Sequence, residues 1–102
     1  MLVQNKEQIF QRIKDNRDAL GVFGVCRFGL FGSFVTGKQD AESDVDLLVE
    51  FRPGTKTFDS FMSLAFFLED ILGRKVDLVT RESLSPYIGP KILAEIEYGL
   101  ID

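Results

Sequence analysis

An apolar run from Val45 to Phe51, entered through Asp44-Val45-Asp46, constrains this chain more than any other stretch. Near-continuous apolar character over such a short length predicts a strand buried on both faces. On a strand, alternate side chains share a face, with Cα atoms about 6.5–7 Å apart. Asp44 and Asp46 therefore aim the same way while Val45 turns to the opposite side. Upstream, Gly32-Ser33 ends a second apolar run, Val25 to Phe31. Gly32 lets the backbone turn sharply and come close to a ligand. Amides at the start of a following helix point toward an anion, and the Ser33 hydroxyl adds a donor. Taken together, the two halves look like a phosphate cradle beside a magnesium site. Lys38, just downstream, is solvated or reaches a phosphate. Neither a Walker Gly-x-x-x-x-Gly-Lys-Ser/Thr sequence nor a Gly-x-Gly-x-x-Gly is present.

The elements around these runs follow from periodicity. Leu2 to about Arg17 reads as a surface helix, with Ile9 and Ile13 one turn apart. Ala19-Leu20-Gly21 reads as a turn into the strand Val25–Phe31. Ser33 opens a short helix that Gly37 closes, and 38–43 is a polar loop. Val45–Phe51 is the second strand, and Arg52-Pro53-Gly54 a turn. A helix from Thr57 to Leu72 is capped by Thr55 or Thr57 and stopped by Gly73. Its apolar residues run nearly all round, which predicts either burial on more than one side or an exposed Phe patch for a partner. Arg74–Thr80 is a third strand, and Lys91 to about Tyr98 a last short helix after Pro90. That order predicts an α/β domain built on a small mixed β-sheet flanked by helices.

With 102 residues and no low-complexity linker, the chain reads as a single domain, 1–102. The N-terminus lacks the order of a signal peptide, and no apolar stretch nears a membrane span, so a cytoplasmic protein is expected. The net charge of −4 lacks the basic excess of proteins that grip nucleic-acid backbones, so direct nucleic-acid binding is disfavoured. One cysteine and no histidine exclude an internal disulfide and an ordinary zinc site. Cys26 is expected in the core, Ser43 as a turn residue, and Glu50 in solvent.

Asp77 is the third candidate carboxylate. It lies mid-strand between Val76 and Leu78, where Asp is a poor former and a lone buried charge is costly. If the third strand pairs with the second, Asp77 faces the same side as Asp44 and Asp46. Two like charges 4 Å apart repel by about 4 kcal/mol at an effective dielectric of 20. Three carboxylates brought together need a cation or raised pKa values. A hard cation that keeps positions open for phosphate oxygens is the simpler answer.

Gly32-Ser33, ten residues, then Asp44-Val45-Asp46 and Leu-Leu-Val-Glu-Phe resembles the minimal nucleotidyltransferases of the DNA polymerase β-like superfamily. The resemblance spans about Gly21 to Tyr98, and Asp77 stands where that family's third acid is expected. It implies a polymerase β-like nucleotidyltransferase fold and magnesium-dependent transfer of a nucleoside monophosphate from a triphosphate such as ATP. Asp44, Asp46 and Asp77 become catalytic metal ligands, with Asp77 helping to deprotonate the acceptor, while Gly32 and Ser33 hold the triphosphate. Small stand-alone members are similar to antitoxins that adenylylate a tyrosine of a HEPN-type toxin. Val35-Thr36 departs from the Ala-Arg of many relatives and removes a possible phosphate contact. Two alternatives stay open: an antitoxin that acts by binding alone, and an adenylyltransferase of small molecules such as antibiotics.

Overall fold

The computed structural model describes residues 2–101. Its elements are α1 (Lys6–Asp15), α2 (Arg17–Val22), β1 (Val25–Phe31), α3 (Ser33–Thr36), β2 (Val45–Phe51), α4 (Phe58–Leu72), β3 (Val76–Val79), a 3-10 turn (Arg81–Ser83), α5 (Gly89–Glu95) and β4 (Glu97–Leu100). The four strands form one sheet in the order β3-β2-β1-β4, with β2 parallel to β3 and β1 antiparallel to both β2 and β4. This is the small mixed sheet the sequence predicts.

One face of the sheet carries the core. Val25, Phe28 and Leu30 of β1, Val45, Leu47 and Val49 of β2 and Val76 of β3 pack with Ile9, Ile13, Leu20, Phe34, Leu64, Leu68 and Leu72 from the helices. Burial on this scale is the main favourable term in folding, at about 25 cal/mol per Å² of apolar area. The opposite face is set by alternation and register: Phe31 lies beside Asp46, Gly29 beside Leu48, and Arg27 beside Glu50. It bears the site.

Strand β3 spans Val76–Val79 and is shorter than the Arg74–Thr80 expected, and three further differences have clear physical reasons. First, α1 begins at Lys6 because the Asn5 side chain caps it by accepting from the Gln8 amide, while Val3 is spent on a bond to the Leu72 carbonyl. Second, Ala19-Leu20-Gly21 is helical, since Leu20 is buried on the core side of α2. Third, the last helix stops at Glu95, and Tyr98 lies in β4, a strand absent from the sequence reading. Ile96 turns extended, and Gly99 lets β4 lie against Phe28: a Cβ there would stand 2.5 Å from the Phe28 ring. Cys26 is half-buried at a bulge in β1 rather than in the core, and its thiol donates to the Glu50 carbonyl.

Helix α4 buries one stripe, Leu64, Leu68 and Leu72, and leaves Phe58 78% and Phe66 64% exposed. Both readings of its apolar surround hold in part: Phe61, Phe67 and Ile71 are partly buried against the core, while Phe58 and Phe66 stand exposed. No helix among the described residues is long and apolar enough to cross a membrane. Thr57 caps α4 in a reciprocal box: its hydroxyl accepts from the Ser60 amide and the Ser60 hydroxyl accepts from the Thr57 amide, both at 3.0 Å. Thr57→Ala should therefore cost about 1 kcal/mol, read as a lower urea midpoint at unchanged slope.

Candidate active site

The turn after β1 is shaped by what lies opposite it. Gly32 has φ +79°, and a Cβ built on it would run into the Asp46 carboxylate. Glycine is needed here for the backbone conformation and for the close approach alike. The single turn of α3 follows, its Val35 and Thr36 amides both bonded to the Gly32 carbonyl at 3.1 Å, and Gly37 ends it in the left-handed region. The Thr36 hydroxyl, at one of the two departing positions, donates back to the Gly32 and Ser33 carbonyls. It stiffens the turn and presents no positive charge. Lys38 stands exposed beyond the Gly37 cap.

Asp46 is the centre of the carboxylate group. It lies in register with Asp77 on parallel β3, so the two side chains leave neighbouring strands, about 4.8 Å apart, on one face. Asp44 precedes β2 on that same face and is exposed, as is Asp77. Asp46 is half-buried, and its carboxyl is pushed up to about 6, first by burial and then by the charges of Asp77, Asp44 and Glu95. The structure thus brings Gly32, Asp44, Asp46 and Asp77 together, with Ser33 opening α3 beside them.

Glu95 is a residue the sequence reading missed. At the end of α5 it reaches the turn, where its Oε1 accepts from the Gly32 amide at 3.4 Å. Its place in sequence, at the close of a short helix, carried no motif. Glu50, expected in solvent, instead takes hydrogen bonds from Arg27 and Arg81, which hold its carboxyl below the usual range. Arg81 also donates to the Tyr98 hydroxyl, and the Arg27 guanidinium lies 3.9 Å above the Tyr98 ring. This cluster fastens β4 across the site face.

Among the described residues, no three carboxylate or thiol side chains close on one point as a ready metal cage. The donor chemistry nonetheless suits a hard divalent cation. All the ligands offered are oxygen, Asp44 and Asp77 are open to water and substrate, and the Asp46 carboxyl, raised first by burial and then by its acidic neighbours, is one whose ionised form a cation would favour.

Residues 7–98 match the family model described as nucleotidyltransferase domain. The protein adenylyltransferase MntA of Thermococcus cleftensis is 42% identical over 76 residues, covering 74% of this chain and 76% of its own length. A Methanocaldococcus jannaschii protein assigned to the protein adenylyltransferases is 40% identical over 78 residues, 74% of this chain and 78% of that one. Among solved structures, a minimal nucleotidyltransferase superposes with a TM-score of 0.77 at 31% identity, covering 92% of this chain and 95% of that chain. A toxin–antitoxin crystallised with AMP-PNP gives 0.66 at 26% identity, covering 93% and 72%.

The strained charge at Asp46 has a measurable sign. Below the ordinary carboxyl value of 3.8 the group is protonated folded and unfolded alike; between there and about 6 the folded state holds the extra proton; above that it is ionised in both, against its burial and its acidic neighbours. The metal-free protein should therefore lose stability as pH rises through this window. Asp46→Asn should raise the urea midpoint near neutral pH, with the gain shrinking toward the acid end. Equal midpoints across the range would show that neither burial nor its acidic neighbours disfavour the ionised Asp46 carboxylate.

Proposed function

Because the chain belongs to the nucleotidyltransferase-domain family, we propose that it transfers AMP from ATP to a hydroxyl, a tyrosine, of a partner protein, and that the partner is a HEPN-type toxin which the transfer silences. The observation that carries this reading is the in-register pair Asp46 and Asp77 facing the Gly32-Ser33 turn, with Asp44 alongside. Relatives at about two-fifths identity are named as protein adenylyltransferases, and the toxin–antitoxin neighbour was crystallised with an ATP analogue.

In this reading the turn amides and the Ser33 hydroxyl receive the triphosphate. The Gly32 amide that now meets Glu95 becomes a donor to phosphate, so Glu95 gives way as nucleotide enters. Asp44, Asp46 and Asp77 would hold magnesium, which would supply charge neutralisation for the phosphates and acidify the acceptor hydroxyl. Asp77, exposed on edge strand β3, takes the proton of the incoming hydroxyl as its oxygen bonds to the α-phosphorus. The bond to the bridging oxygen breaks and pyrophosphate leaves. Much of the catalysis in such transfers is positioning and electrostatic stabilisation. The open surroundings of Asp44 and Asp77 suit an acceptor delivered by another chain.

A second reading, neutralisation by covering the partner, is favoured by the exposed Phe58, Met62 and Phe66 on α4. The two are separated by one experiment. Incubated with its neighbour-encoded partner, ATP and magnesium, the wild-type chain should add AMP to a partner tyrosine, seen by mass spectrometry. Asp44→Asn should bind the partner without modifying it. If that variant protects cells from the partner as well as wild type does, covering is the mechanism and transfer is not.

A further inference from the structure

Arg74 follows Gly73, the left-handed residue that ends α4, and stands just before β3. Its half-buried side chain crosses α3, with the guanidinium carbon 5.1 Å from the centroid of the Phe34 ring. Nε donates to the Val3 carbonyl at 2.6 Å. Nη1 faces three carbonyls of the loop 38–43 that joins the turn to the aspartates: Asp40 at 3.1 Å, Ala41 at 3.2 Å and Ser43 at 2.9 Å. That nitrogen has two protons for three acceptors, so the loop is curled around one charged point.

The backbone next to Arg74 completes the hold. The Val45 amide donates to the Lys75 carbonyl at 2.9 Å. Asp44 is thereby bracketed: the carbonyl before it is fixed by the Arg74 side chain, and the amide after it by the Lys75 backbone. Both anchors belong to the segment that runs directly into Asp77. The loop's internal bonds, Asp40 amide to Ser43 hydroxyl and Glu42 amide to Asp40 carboxylate, shape its turn but do not tie it to β3.

We infer that Arg74 is a positioning residue for the cation site: by gathering the loop carbonyls it sets Asp44 against Asp46 and Asp77. The inference rests on the reading of those aspartates as cation ligands. It also makes a prediction opposite in sign to bulk electrostatics. Removing a positive charge near three carboxylates would by itself strengthen cation binding. Loss of positioning weakens it.

The test uses manganese(II) alone, titrated into the metal-free protein and followed by loss of the free-ion paramagnetic resonance signal. Arg74→Met keeps the stem over Phe34 and removes every donor, and its affinity should fall by about tenfold, the low end for losing a group that orients a metal ligand. Arg74→Lys places an ammonium with three donors near the three loop carbonyls, and should stay within a few-fold of wild type while melting lower for want of the Val3 bond. Unchanged or tighter binding by folded Arg74→Met overturns the inference. Should circular dichroism show Arg74→Met unfolded, Arg74→Gln, which removes the charge and leaves too few donors for the three loop carbonyls, decides: a loss of about tenfold supports positioning, and unchanged or tighter binding overturns it. Failure of wild type to bind manganese overturns the ligand reading together with this inference, whereas wild-type binding with an unaffected Arg74→Met overturns this inference alone.

Discussion

Pairing β2 in parallel with β3 sets Asp46 directly beside Asp77, and because like charges on neighbouring strands repel, the rest of the molecule has to hold that pairing against its own electrostatics. It does so from the far side of the same strands. Val45 and Leu47 are fully buried in the core, and Val76 nearly so, so sliding either strand by one residue would carry these side chains to the site face. At the other strand edge of β2, the antiparallel pairing with β1 places Phe31 next to Asp46 and delivers the chain into Gly32. The Glu69 carboxylate adds a bond to the Val76 amide, fixing the entry of β3. The site is a by-product of where the core is satisfied.

Much of this was legible from residue order. Apolar runs marked β1 and β2 to the residue, Gly37 and Gly73 marked the ends of α3 and α4, and Thr57 was one of two proposed caps. These features are local: each is decided by a residue's own conformational preference or by a period of two or 3.6. The alignment of Asp77 with Asp46 was legible only conditionally, since it depends on which strands pair, and the structure supplies that pairing.

What escaped the sequence is what tertiary contact decides. Glu97-Tyr98-Gly99-Leu100 continues a plausible helix until β1 offers its free edge and the Phe28 ring requires a glycine. Glu95 gains meaning only when α5 folds back over Gly32, and Glu50 only when Arg27 and Arg81 converge on it. Arg74 looks like an ordinary charged residue after a helix stop, yet its guanidinium meets three carbonyls of the loop and one from the N-terminal segment.

The crossover through α4 has a bearing on when the molecule becomes competent. Strands that pair in parallel cannot be joined by a tight turn, and here a whole helix separates Asp46 from Asp77. As the chain leaves the ribosome, the glycine turn and the first two acids emerge together, but the third acid arrives only after α4, and Glu95 later still. Non-local pairing of this kind forms late because its loop-closure entropy is spent before its contacts repay it. A form that stops short of β3 carries two of the three aspartates and lacks the strand pairing that aligns the third with them.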